Sequence, residues 1–200
     1  MLLATITAGM AAAVYHSAET ARIDGSPLPQ PWHDAPFVRT PDQIVEEMLD
    51  MAAPREDETL YDLGCGDGRI VVRAAAKYGC RAVGFDIDPE RVLEADENAR
   101  RHGVEDHVTV IEQDIFTLDL TEADVVTLYL LPRLNKRLIP QLQQLRPGSR
   151  IVSHDFDLPG IVPDRTARLT TSDNQVGHVL YLWTAPLRAA EKQGLKVREK

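Results

Sequence analysis

Residues 60–71 read LYDLGCGDGRIV. An acid, Asp62, ends a short apolar run, and Gly64, Gly66 and Gly68 follow at alternate positions. A turn built this way lets a ligand approach bare backbone. The spacing is G-x-G-x-G. The dinucleotide pattern G-x-G-x-x-G needs a glycine where Arg69 stands, and the phosphate-loop ending G-K-[ST] is absent. Asp86 lies 22 residues after Gly64, at the end of a second strand-like run. An acid at about that spacing accepts hydrogen bonds from ribose hydroxyls. Gln113, Asp114 and Ile115 close a third strand-like run, where they would meet the edge and face of a purine.

The charges narrow the choice of nucleoside. Asp62, Asp67, Asp86, Asp88 and Asp114 all fall at strand ends or in the turns after them. A pyrophosphate among them would be repelled unless Arg69 and a helix N-terminus prevailed, since unit charges about 4 Å apart interact by several kcal/mol near a surface. S-adenosylmethionine has no phosphate and carries a sulfonium and an ammonium, so the same acids favour it. The plain alternative is a tight connection with no ligand. It loses ground once strand, turn, helix and both later acids fall in register.

The composition is that of an ordinary globular chain, 44% hydrophobic and 26% charged, with a net charge of −9. That balance argues against holding nucleic acid through a broad basic surface. Cys65 and Cys80 are expected as buried free thiols. The six histidines show no HxxxH or CxxC partner spacing, so no metal is expected.

The elements that must position these residues alternate. Thr40-Pro41-Asp42-Gln43 reads as a helix start with Thr40 as N-cap, followed by the apolar stripe Ile44, Val45, Met48, Leu49 and Ala52. Strands are expected at 59–63, 81–85, 107–111, 123–130 and within SRIVSHDF. Helices are expected at 68–78, from Asp88-Pro89 to about His102, and within 133–145, where Pro140 would kink or divide the element. Residues 166–172 and 177–184 read as a terminal hairpin, with one strand antiparallel. The prediction is an α/β fold: a doubly wound, mostly parallel seven-stranded sheet with a C-terminal antiparallel hairpin.

The domain is expected over residues 37–186. Residues 1–36 comprise MLLATITAGMAAAV, an apolar run of 14 residues, and a linker with four prolines. The run is short of the roughly 20 residues that span a bilayer. A loosely docked helix, a membrane-associating segment and an export signal all stay open for it. Residues 187–200 form a basic tail.

YDLGCGDGRIV resembles the first motif of the class I S-adenosylmethionine-dependent methyltransferases, VGFDIDPERV the second, and IEQDIF the acidic turn after their third strand. PFVRTPDQIVEEML, DVVTLYLLP, RIVSHDFD and the final YLW resemble more narrowly the family that includes the ATP synthase c-subunit and adenine nucleotide translocase lysine methyltransferases. The resemblance covers roughly residues 36–186 and implies a Rossmann-like methyltransferase fold. It implies that Asp62, Gly64 and Gly66 border the methionine part of the cofactor, and that Asp86 binds the ribose with Ile87 against the adenine. Asp114 would accept from the adenine amino group beside Ile115, and Tyr129 would lie near the transferred methyl. The segment holding Phe37, Val38, Thr40 and Pro41 would close over the cofactor. The N-P-P-[YF] signature of nucleobase amino methylation is absent, and the fourth strand ends in LYLLP instead.

His154, Asp155 and Asp157 follow the fifth strand and are candidates, with Tyr129, for the acceptor pocket; turn capping is their plainer reading. Arg133, Asn135 and Lys136 read as a solvated helix face. Three functions stay open: a protein-lysine N-methyltransferase with an accessible lysine as substrate and no nucleic-acid partner, a methyltransferase of a small nucleophile, and a module that binds the cofactor without catalysis. The donor is made in the cytosol, so a cytoplasmic protein is expected, at the inner membrane face if the apolar run docks there.

Overall fold

The computed structural model describes residues 37–171 and 175–190. The apolar run, the proline-rich linker and most of the basic tail lie outside the described residues, as do the expectations placed on them.

The chain forms α1 (Asp42–Ala52), β1 (Thr59–Leu63), α2 (Arg69–Tyr78), β2 (Arg81–Asp86), α3 (Pro89–Arg101), β3 (Val108–Glu112), a 3-10 turn (Ile115–Thr117), β4 (Val125–Leu128), α4 (Pro132–Leu142), β5 (Arg150–His154), β6 (Arg165–Thr170) and β7 (Gly177–Thr184). All seven strands join one sheet in the order β3-β2-β1-β4-β5-β7-β6. The pairings from β3 through β5 are parallel, and β7 runs antiparallel to both β5 and β6. The doubly wound fold and its terminal hairpin are therefore as the alternation of elements predicts.

Both sheet faces are covered, which is why β4 is buried at all four of its positions. Ile44, Met48 and Leu49 of α1 and Val71 and Ala74 of α2 pack on one face, against Leu60, Val125 and Val152. Leu134, Leu138 and Leu142 of α4 pack on the other with Leu128, Ile151 and Trp183. Local chemistry sets the helix ends. Asp88 caps α3 by accepting the Glu90 N–H at 2.9 Å, and Gly79 ends α2 in the left-handed conformation with φ 68°. Pro140 does not divide α4, which continues to Leu142.

Strand order reverses between β1 and β4, because β2 and β3 lie to one side of β1 and β4 and β5 to the other. The loops beyond β1, β2 and β4 therefore converge at the carboxyl ends of the strands, where such sheets place ligands. The glycine turn occupies that position. Gly68 meets α3 there: its φ is +74°, and a Cβ built on it would lie 2.7 Å from the Ala95 Cβ. Gly68→Ala is expected to cost roughly 1–3 kcal/mol through left-handed strain and overlap. Urea denaturation measures this, and an unchanged midpoint would show that α3 yields freely.

Candidate functional site

β1 delivers Asp62 and the chain then turns through Gly64, Gly66 and Gly68, all at positive φ. The turn is tied to β2 by the Gly64 and Cys65 amides, which donate to the Phe85 carbonyl at 2.8 and 2.9 Å. Asp86 completes it. One carboxylate oxygen accepts the Gly66 N–H at 2.8 Å, and the other accepts the Asp88 N–H at 3.0 Å. Two backbone amides thus hold the carboxylate in place. The Gln113 amide donates to the Asp86 carbonyl at 2.9 Å, bringing the Asp114 turn alongside. Asp114 caps that turn by accepting the Phe116 N–H at 2.9 Å. Ile87 is 39% exposed beside Asp86, and Ile115 is half-buried.

The turn is short of positive charge. Asp62 is buried and accepts the Thr127 hydroxyl at 2.7 Å. Burial pushes its pKa from 3.8 to about 7, with Asp86 and Asp67 adding repulsion and the Thr127 bond opposing them. Burial also raises Cys65 well above the ordinary thiol range, helped by Asp62 and Asp86. Asp67 behaves differently. Burial opposes its ionisation, yet hydrogen bonds and charge from Arg69, with help from Arg39, hold its pKa below the usual range. Arg69 is committed to this work: it binds Asp67 at 2.7 Å and the Thr40 carbonyl at 2.6 Å. No cation is spent on Asp62 or Asp86, and a cationic ligand beside Asp62 would draw its carboxyl back towards the ionised form. The arrangement suits a cation and disfavours a pyrophosphate.

Phe37 lies over the turn. A Cβ built on Gly66 would stand 2.2 Å from its ring, so the ring rests on bare glycine backbone. Arg91 of α3 stacks on Phe37, 5.0 Å from its centroid. Thr40 departs from expectation. Pro41, not Thr40, occupies the N-cap of α1, and no side chain caps that end. Thr40 is buried, and its hydroxyl lies 3.4 Å from the His154 Nδ1. With its carbonyl on Arg69, it ties the cofactor turn to the opposite end of the site.

That end is built by the residues after β4 and β5. The Tyr129 ring lies 4.0 Å from that of His154 and stacks with Phe156 at 6.2 Å. Burial raises the Tyr129 pKa, as does the Asp155 charge, so the phenol stays neutral near pH 7. His154 is fully buried, and burial lowers its pKa to about 4 against the pull of Asp155. Asp155 sits at φ 59° and accepts the Val179 N–H at 2.9 Å. Ser153 donates to the Phe156 carbonyl at 2.6 Å. Asn135 donates to the carbonyls of Phe156 and Asp157 at 3.2 and 3.1 Å.

Asn135 therefore corrects the expectation of a solvated face: it is fully buried and holds the loop that carries Asp155 and Phe156. Arg133, Lys136 and Asp157 are exposed. Asp62, Gly64, Gly66, Asp86 and Phe37 gather at the glycine turn with Ile87, Asp114 and Ile115 on the β2–β3 side. Tyr129, His154 and Asp155 gather beyond β4 and β5. Sequence reasoning missed Thr127, Phe156 and His178, the last of which lies 2.9 Å from the His154 Nε2. A buried polar residue facing Asp62 in the neighbouring strand was the available signal for Thr127. His178 had none.

Comparison with known proteins agrees with this geometry. The family described as the ANTKMT methyltransferase domain matches residues 62–165. A protein-lysine N-methyltransferase of Saccharolobus islandicus is 39% identical over 74% of this chain and 92% of its own length. The lysine N-methyltransferase of Rattus norvegicus that is named for the ATP synthase c-subunit is 33% identical over 66% of this chain, which spans only 60% of that relative. A solved structure described as an RNA methyltransferase from Salinibacter ruber, in complex with S-adenosyl-L-homocysteine, is 47% identical. It superposes with a TM-score of 0.71 over 78% of this chain and 98% of its own.

The raised pKa of Asp62 has a measurable sign. A carboxyl that binds its proton more tightly in the fold contributes stability in full below its ordinary 3.8, and loses it as pH rises to about 7. His154 works the other way, losing stability as pH falls from 6.5 to about 4, but that contribution is common to wild type and Asp62→Asn. The melting temperature of Asp62→Asn relative to wild type, without cofactor, is expected to rise steadily from about pH 4.5 to about pH 7.5. A constant difference would mean that Asp62 titrates as an ordinary carboxylate.

Proposed function

The chain belongs to the ANTKMT methyltransferase family, and we propose that its methyl acceptor is the side-chain amine of lysine in a protein. The donor is S-adenosylmethionine, and the charge and bare backbone of the glycine turn suit it. What carries the acceptor reading is the far end of the site: the stacked Tyr129 and Phe156 rings with the Asp155 carboxylate beside them. Ring faces beside a carboxylate suit an alkyl chain ending in a cation, which gains from both. The Saccharolobus relative supports the same reading.

The chemistry asks little of the protein beyond placement. The amine lone pair attacks the methyl carbon, the C–N bond forms as the C–S bond breaks, and the thioether leaves with the bond's electrons. The obstacle is the proton on lysine. With a reference pKa near 10.4, removing it at pH 7 costs about 4–5 kcal/mol. Desolvation and the neighbouring sulfonium both favour the neutral amine. Asp155 attracts the ammonium, and the neutral Tyr129 phenol packs beside the reacting atoms. Thr40 and Phe37 cover the turn and limit water, which leaves positioning as the main contribution.

A second reading rests on the Salinibacter structure, described as an RNA methyltransferase. Against it stand the net charge of −9 and the LYLLP ending of the fourth strand. One assay separates the two. The chain is incubated with methyl-labelled S-adenosylmethionine and either RNA-free cell protein or protein-free RNA. Label released as methyl-lysine on hydrolysis is expected; label confined to RNA would sink the lysine assignment.

Cofactor binding is tested independently. Asp86→Ala removes the charged acceptor for the ribose and frees the Gly66 and Asp88 amides. Losing hydrogen bonds to a charged group costs about 1.5–3 kcal/mol, so S-adenosylmethionine affinity is expected to fall roughly 10–100-fold by calorimetry. Unchanged affinity would place the ribose elsewhere.

A further inference from the structure

His178 and the adjacent pair His154 and Asp155, far apart along the chain, meet beside Tyr129. The His154 Nε2 lies 2.9 Å from the His178 Nδ1 and 3.3 Å from the Asp155 Oδ2. The same oxygen is 3.3 Å from the His178 Nδ1. Strand register produces the meeting. His154 faces Leu180 across the antiparallel β5–β7 pair, so His178 stands two residues along on the same face. Asp155 follows at once and turns back through its left-handed backbone, with its amide donating to the Val179 carbonyl at 2.7 Å.

We propose that His154, Asp155 and His178 form a binding site for a late first-row divalent cation, with Zn²⁺ as the first choice. The three atoms outline a triangle with sides of 2.9, 3.3 and 3.3 Å. Ligand bonds of about 2.0–2.1 Å in a tetrahedral zinc site give edges of roughly 3.3 Å, so the triangle matches one face of that polyhedron. Two imidazoles and one carboxylate suit zinc and its neighbours, whereas magnesium and calcium call for oxygen ligands throughout.

Supporting groups of the kind a metal site uses stand behind two of the three ligands, while the outer nitrogen of His178, Nε2, is buried without a hydrogen-bond partner. The Thr40 hydroxyl at the His154 Nδ1 leaves Nε2 turned into the cluster. The Val179 amide occupies the Asp155 Oδ1 and leaves Oδ2 facing the two imidazoles. Two of the three residues are more than nine-tenths buried, His154 at 0% and His178 at 8% exposure. Without a cation, two imidazole nitrogens and a carboxylate oxygen crowd together with too few protons to bridge every pair. A divalent charge satisfies all three. The search for HxxxH and CxxC spacing does not reach this cluster, because its ligands come from two strands and a turn. The competing account is a hydrogen-bonded trio that shares protons and takes no metal.

Calorimetric titration of the metal-stripped full chain with ZnCl₂, and the visible spectrum with Co²⁺, decide between them. One ion per chain is expected, with a four- or five-coordinate cobalt spectrum. His178→Gln and Asp155→Asn should each weaken zinc binding roughly tenfold or more, while the exposed His107→Ala should leave it unchanged. Zinc should raise the melting temperature of wild type but not that of His178→Gln, whose metal-free melt checks that it folds. No saturable binding, or binding indifferent to His178→Gln and Asp155→Asn, overturns the proposal in favour of the proton-sharing trio. Methyl transfer is not the readout. A bound cation takes up the Asp155 carboxylate that the lysine reading uses to attract the ammonium, so saturable zinc binding leaves that attraction to the other acids of the chain, while the lysine assay still tests the acceptor separately.

Discussion

The site depends on a carboxylate kept where a carboxylate is costly. Asp62 is buried at the end of β1 with Asp86 and Asp67 nearby, and its pKa rises to about 7. Burial is the cause, since Asp62 is only 2% exposed. Arg69, which follows the glycine turn, spends its hydrogen bonds on Asp67 and Thr40. The fold leaves a negative potential that a cationic nucleoside relieves. A ligand recruited to satisfy the protein is also held by it, and selectivity against phosphates follows from the same charges.

Neutralising Asp67 with Arg69 and Arg39 has a structural consequence as well. Both arginines reach the segment before α1 or belong to it, so the pairs that quiet one carboxylate also fasten Phe37 and Thr40 over the turn. Thr40 then carries the connection to His154. Cofactor turn and acceptor end are thus linked through one buried threonine, without a large inserted lid. The burial of Thr40 and its contacts to Arg69 and His154, and not propensity, decide its local form. That is why Thr40 gives up the N-cap role its sequence suggests and leaves the first turn of α1 uncapped by any side chain.

What was legible in the sequence follows local rules. The glycine spacing, the acid 22 residues on, the Asp88-Pro89 helix start and the switch from βα alternation to a hairpin are each set by a few neighbouring residues, and the structure carries all of them. What was illegible depends on register between distant strands. Asn135 sits among charged neighbours in sequence and reads as solvated. Only the packing of α4 against the loop after β5 turns it inward. His178 looks like one more polar residue of a strand until the antiparallel pairing of β5 and β7 places it on His154.

The same distinction bears on the methyl acceptor. Cofactor recognition is written into a motif because a fixed ligand imposes fixed spacing. The proposed acceptor pocket is assembled from side chains at the ends of β4 and β5 and the start of β7, which no motif binds together. Proteins described as acting on protein lysine and on RNA can therefore both resemble the chain. The discriminating physics is charge. A polyanion must be met by cations, and a net charge of −9 provides the opposite. A lysine ammonium gains from that field on approach. It then loses the advantage as desolvation between Tyr129 and Phe156 favours the neutral amine. Attraction before the pocket and deprotonation within it need different environments: the acidic balance of the chain suits the first, and the ring faces of Tyr129 and Phe156 would suit the second.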